Sequence, residues 1–336
     1  MESWGTYLIF KKHYLAAVCI SCIGAGALSA AEFPQAEISN GLIQAKLYLP
    51  DAGKGYYRAT RFDWSGQMPS LVFKGHSYFG EWNDRPYDPK LHDAIMGPVE
   101  EFSDTDAPGY AEAPVGGTFV KIGVGVLRKP QEKSYDHFKT YEIVDPGKWS
   151  VKTNADSVEF THVVNDPVSG YGYEYTKTVR LVKGKPELAL EHRLKNTGTK
   201  TISTEAYEHN FYMLDKQPTG PDLAVKFPFE VKAVNEWKPG LVELRGKELS
   251  YVKELQKGDT AYNSLTGFGP DVKDYDIRVE NSKTGAGVRQ RADKPLSRMV
   301  YWSIRPTACP EAYIHVEAAP GKAFTWRIAY DFYLVK

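Results

Sequence analysis

Two short runs hold the residues best suited to moving a proton. The first is Glu205-Ala206-Tyr207-Glu208-His209-Asn210-Phe211-Tyr212-Met213-Leu214. A histidine set among Glu, Asn and aromatic residues suits general acid–base work, because imidazole titrates near neutrality and its surroundings tune it. The same run also fits a histidine satisfied inside a sheet. The second is Arg305-Pro306-Thr307-Ala308-Cys309-Pro310-Glu311-Ala312-Tyr313-Ile314-His315-Val316-Glu317. It predicts a strand beginning at Glu311, with Glu311, Tyr313, His315 and Glu317 on one face. Glu311, at the rim beside a loop, is the stronger candidate for function. Glu317 reads as a solvated carboxylate near a turn.

A third region is dense in histidine, acids and rings. It comprises Arg61-Phe62-Asp63-Trp64-Ser65-Gly66, Lys74-Gly75-His76-Ser77-Tyr78-Phe79-Gly80-Glu81-Trp82 and His92 through Phe102. Few plain apolar runs interrupt it, so it reads either as loops and strand ends that bear a site or as a turn-rich surface. It offers His76, Trp82, His92, Glu100 and Glu101 as substrate contacts, to which the second run adds Arg305. No G-x-S-x-G elbow, phosphate-binding loop, H-E-x-x-H or paired CxxC occurs, so the chemistry to hand is His, carboxylate and Arg. Neither a cofactor nor a metal is expected.

The elements that must position these residues are strands. Period-two alternation runs through Ile43–Leu49, Ser157–Val164, Tyr171–Leu181, Leu188–Leu194, Tyr313–Val316 and Phe324–Leu334, each bounded by Pro, Gly or Asn turns. Thr118–Leu127 reads as one long strand. No long helical period is present, and Val252–Gln256 suggests at most one helical turn. Many strands at even spacing predict an all-β sandwich or barrel. Residues 220–269 are less regular and read as an insertion or long loops.

Hydrophobic residues make up 42% of the chain and aromatic residues 13%, enough for a large core and too much for disorder. Tyrosine occurs 22 times and tryptophan 7 times. Such rings stack on the apolar faces of sugars, although tyrosine is also an ordinary strand residue. Acidic and basic residues balance at 42 each with no basic block, which argues against nucleic acid. Lys11-Lys12-His13, the apolar Tyr14–Leu28 and the small Ser29-Ala30-Ala31 read as a signal peptide over residues 1–31, removed on export to the periplasm or medium. The apolar stretch is short for a membrane span, so stable membrane insertion is not expected. Residues 32–336 are expected to form one domain. Cys309 is then the only cysteine of the mature chain, which leaves no internal disulfide.

Read in order, these pieces resemble the galactose mutarotase-like superfamily, the aldose 1-epimerases and their relatives. The resemblance lies in the turn Asn196-Thr197-Gly198, the run His209-Asn210-Phe211-Tyr212-Met213-Leu214, the triplet Cys309-Pro310-Glu311, the turn Pro320-Gly321 and the aromatic strand Trp326–Tyr333. It spans most of residues 36–336 and implies a large antiparallel β-supersandwich. It further implies that His209 protonates a sugar's ring oxygen while Glu311 takes the anomeric proton, with Glu317 as the alternative glutamate. Epimerases carry an early Asn-Arg pair for sugar hydroxyls. At the comparable stretch this sequence has Glu100 and Glu101, which marks a divergent, exported branch. The partner expected is a sugar or oligosaccharide.

Two other functions compete with epimerisation. A lyase would need a cation such as Arg305 or Arg61, and a hydrolase would pair Glu311 with Glu100 or Glu101. A non-catalytic binder would offer an aromatic platform from Trp64, Tyr78 or Trp82. An epimerase is expected to hold His209 and Glu311 on opposite sides of a sugar-sized pocket.

Overall fold

Three consecutive strands set the frame. Ser157–Asp166 pairs with Tyr171–Leu181, which pairs with Glu187–Asn196, all antiparallel. Each alternates, so Val158, Phe160 and Val164 are buried with Tyr173, Tyr175, Leu190 and Leu194. Glu187–Asn196 then takes Ala323–Leu334 as its other neighbour. A sheet of ten strands grows from this nucleus.

At Asn196 the chain leaves that sheet. The Asn196 side chain is fully buried. Its amide donates to the carbonyls of Lys200 and Ala318, each at 2.7 Å, and its oxygen accepts from Gly198 N–H at 2.9 Å. These bonds satisfy backbone groups that a buried crossover would otherwise strand. The next strand, Ile202–His209, lies in a six-stranded sheet between Val99–Phe102 and Thr307–Ala318. Residues from the inner faces of the two large sheets, such as Leu190 and Ile314, share one apolar core. The computed structural model describes residues 1–2 and 33–335. All but the first two residues of the expected signal peptide lie outside the described residues. Among the described residues no helix is long and apolar enough to cross a membrane.

The architecture is the all-β antiparallel sandwich that the alternation predicts, with three local differences. Thr118–Leu127 is two strands, Thr118–Lys121 and Gly125–Arg128, folded back on each other. Gly123 makes that turn at φ 79°, where a Cβ would lie 2.6 Å from the Asp63 carboxylate. Val252–Gln256 is not helical; the two helical turns described are Leu214–Lys216 and Val272–Asp274. Residues 220–269 supply strands to both large sheets, among them Leu223–Lys226 and Thr260–Thr266. Short alternating stretches separated by Gly and Pro carry too little period to be read as strands in advance.

Between the two sheets lies a charged cluster rather than a purely apolar core. Glu100 and Glu208 project from the six-stranded sheet, and Lys177 and His192 come from the ten-stranded one. All four are buried. Lys177 and His192 both contact the Glu100 carboxylate, and Lys177 lies 3.8 Å from Asp63. Burial alone would raise the pKa of Glu100, but Lys177 and His192 hold it down at about 2. Burial and the neighbouring Glu100 push Glu208 well above the carboxylate range, so Glu208 is a neutral acid. Glu100 is therefore one half of a buried ion pair, and each half depends on the other. Lys177→Met is expected to cost about 3–5 kcal/mol in urea unfolding, because it leaves a buried carboxylate without a counterion. Glu208→Gln, which mimics the neutral acid, is expected to cost less than about 1 kcal/mol. Equal losses for the two variants would contradict this assignment of charge.

Candidate active site

Register decides what the cleft contains. Along Ile202–His209, Tyr207 lies opposite Glu101, Glu208 opposite Glu100 and His209 opposite Val99. Alternation sends Glu208 and Glu100 into the core, and Tyr207, His209 and Glu101 to the other face. On the far side Tyr207 pairs with Tyr313, two residues beyond Glu311. The outcome is a cleft of about 480 Å³ floored by His209, Tyr207, Glu311 and Tyr313 and walled by Trp82, Phe138, Tyr262 and Trp302.

His209 Nε2 lies 3.3 Å from Glu311 Oε1. Both residues are nearly closed to solvent. Phe211 stacks on the imidazole at 3.8 Å and 9°, and Trp302 and Phe62 meet it edge-on. Phe211 reaches this position with φ 47°, a left-handed conformation costly for an aromatic residue, and its N–H donates to Cys309 Sγ at 3.0 Å. Burial pushes His209 well below its ordinary pKa, and the Arg61 charge adds to the effect. Burial raises Glu311 to about 8 against the opposing pull of Arg61, with Glu101 adding to the rise. At neutral pH the two side chains therefore hold one proton between them, resting on Glu311, with His209 neutral beside it.

Beneath the cleft, Glu101 is fully buried and fully engaged. It accepts from Arg61 Nε at 2.8 Å, from His137 Nδ1 at 2.8 Å and from the Tyr207 hydroxyl. Burial would raise its pKa, but the charges of Arg61, Lys121 and His137 hold it far below the carboxylate range. Glu101 thus anchors two basic side chains, Arg61 and His137, both of which line the cleft.

The candidates from sequence separate by location. His209, Glu311, Trp82 and His92 all line the cleft, and Glu101 lies just under it. Glu100 points the opposite way, into the core. His76 is bound to Asp215 at 2.8 Å, and Arg305 to Glu254 at 2.9 Å; neither lines this cleft. Glu311 stands well inside Thr307–Ala318 instead of starting the strand. Glu317 is exposed and lies 3.6 Å from His315, remote from the floor. Trp64 and Tyr78 are buried, so of the three rings proposed as a platform only Trp82 meets the cleft. His209 and Glu311 are neighbours on adjacent strands, not residues on opposite walls.

The sequence reading missed Tyr207, which alternation from His209 could have supplied, and His137, which sits in a polar loop without any local signal. Arg61 it offered only as a cation for a lyase. An arginine does reach the cleft, but from the loop before the Glu100-Glu101 stretch. Asp93 and Asp104 also line the cleft and are held by Arg85 and Arg298 respectively. Among the described residues, Glu100, His192 and Glu208 bring possible metal-ligand atoms within 4.8 Å of one another. Lys177 already supplies positive charge there, and the cluster opens toward the core, away from the cleft.

No family model matches the sequence, and no curated protein matches it. Solved structures do match the fold. A galactose mutarotase-like protein from Clostridium acetobutylicum is 12% identical, with a TM-score of 0.57 over 90% of this chain and 95% of that one. An aldose epimerase homologue from C. elegans is 13% identical, with a TM-score of 0.54 over 91% of this chain and 100% of that one. A galactose mutarotase related enzyme from Lactobacillus acidophilus is 13% identical, with a TM-score of 0.53 over 90% and 99%. Strand order, sheet composition and these likenesses agree: the chain has the galactose mutarotase-like fold.

Proposed function

We propose that the protein is a sugar 1-epimerase that interconverts anomers with His209 and Glu311 as its acid–base pair. The observation that carries this reading is the 3.3 Å contact between the two side chains on the floor of an aromatic-walled cleft. The ring oxygen and the anomeric hydroxyl oxygen of a pyranose are bonded to the same carbon. An acid and a base standing side by side, rather than on opposite walls as the sequence suggested, can therefore serve both.

The reaction asks for one proton delivered and one removed. In the imidazolium–carboxylate form of the pair, His209 gives its Nε2 proton to the ring oxygen as the C1–O5 bond breaks. Glu311 takes the proton of the anomeric hydroxyl, which becomes the aldehyde oxygen. Rotation about C1–C2 turns the carbonyl over, and the steps run backwards to close the ring on its other face. Burial keeps the pair free of competing water, and Arg61 and His137 are placed to hold sugar hydroxyls. Trp82 and Trp302, the first backed by Phe211, offer ring surface to the apolar side of the sugar.

Hydrolysis fits this geometry less well. It requires a second carboxyl free to act, yet Asp93 and Asp104 are paired with arginines and Glu101 has no oxygen to spare. Export, supported by the basic and apolar N-terminal pattern, would bring the protein into contact with sugars outside the cytoplasm.

Mutarotation followed by NMR with neutral and acidic sugars is expected to show accelerated exchange of α and β anomers. Glu311→Gln and His209→Ala should each slow it by roughly 10²–10⁴-fold, the usual contribution of a positioned acid or base. Acceleration that survives both substitutions would refute the assignment. The active form carries one proton, and Glu311 releases it near pH 8. The rate should therefore fall as pH rises through about 8, and Glu311→Gln should abolish that limb along with most of the activity. A wild-type rate still climbing above pH 9 would contradict the shared-proton pair.

A further inference from the structure

We propose that the cleft continues past Trp82 into an outer subsite, and that the physiological ligand is an oligosaccharide with a free reducing end. This rests on the epimerase reading for what happens in the inner cleft, but the outer subsite has its own support. A second cavity of about 420 Å³ adjoins the first and shares Trp82, Asp93 and Thr260 with it. Pockets of roughly 300–1,000 Å³ suit drug-sized ligands, and a single pyranose is smaller than those. The inner cleft already lies within that range, so the two cavities together exceed what one ring can fill.

Trp82 stands at the junction as a fixed ring. Its Nε1–H donates to the Ile95 carbonyl at 2.8 Å, and it stacks on Phe211 at 4.8 Å and meets Trp302 edge-on at 5.7 Å. It is held by residues 78–98, a long segment without a strand, of the kind that carries binding function. A sugar chain passing from one cavity to the other must cross this ring.

The outer cavity is chemically suited to hydroxyl groups. Asn83, Gln256, Lys257 and Arg305 present planar amides and cations to it. Arg305 pairs with Glu254 at 2.9 Å and Lys257 with Asp84 at 2.6 Å, all four well exposed. Ion pairs this exposed are weak and yield to a ligand's hydroxyls at little cost. Their balanced charge favours a neutral glycan, and an apolar ligand would leave them unsatisfied. Only a ring with a free anomeric hydroxyl can react over His209 and Glu311. The reducing end therefore occupies the inner cleft, and the following residue lies beside Arg305.

The test compares D-glucose, D-galactose and D-mannose with their β-1,4-linked disaccharides, using the whole mature protein. For at least one pair, kcat/KM for anomer exchange should be tenfold or more higher for the disaccharide. Arg305→Ala and Gln256→Ala should each lower that disaccharide-to-monosaccharide ratio about tenfold. Equal values within every pair, or ratios that neither variant changes, would overturn the outer subsite. Should no sugar exchange faster, the epimerase reading fails and tryptophan fluorescence titration with the same sugars decides the subsite. Disaccharide binding tenfold tighter than monosaccharide, lost in Arg305→Ala, would sustain it; equal affinity or no binding would overturn it.

Discussion

The register of one strand governs this molecule. Ile202–His209 lies between Val99–Phe102 and Thr307–Ala318, and consecutive side chains along it point to opposite sides. Glu208 therefore faces the charged cluster between the sheets, and His209 faces the cleft. The same holds for Glu100 and Glu101 on the neighbouring strand. A slip of one residue would exchange all four, placing the site's histidine in the core and an unpaired acid in the cleft. The buried Lys177–Glu100 contact opposes such a slip, which would turn Glu100 away from both Lys177 and His192. The cluster between the sheets thus fixes the geometry of a site it does not touch.

Two groups of buried carboxylates follow different electrostatic rules. Glu100 and Glu101 have close cations and remain ionised despite full burial. Glu208 and Glu311 are buried without a comparable partner and hold their protons. For Glu208 the effect is structural, since it faces only the core. For Glu311 it suits the proposed proton transfer, because a carboxyl raised to about 8 beside an imidazole can serve as an acid or a base near neutral pH. The basic side chains at the cleft are not surplus: Glu101 pins Arg61 and His137 there.

Much of the fold was legible because alternation is a local property. Tyr171–Leu181 and Glu187–Asn196 stand almost where the pattern puts them, and the Asn196-Thr197-Gly198 turn marks the crossover between sheets. The errors arose where sequence does not encode distance. Thr118–Leu127 is one long, mostly apolar run, yet the turn at Gly123, with φ 79°, folds it into a hairpin. Glu100 and Glu101 look equivalent in sequence, and only the pairing with Tyr207 and Glu208 tells them apart. His137 joins the site through Glu101, 36 positions away, which no local pattern can show. His76 and Arg305 have the right chemistry, but the chain carries them to other neighbours.

The claim on which the rest depends is that His209 and Glu311 share a single proton at neutral pH. It is tested most directly by carbon-13 NMR of the Glu311 carboxyl across a pH titration, assigned with Glu311→Gln. The account predicts a midpoint near 8, with the imidazole of His209 held well below the ordinary histidine range by its burial. A Glu311 carboxyl that titrates near 4.3, the value of an unperturbed glutamate, would contradict it.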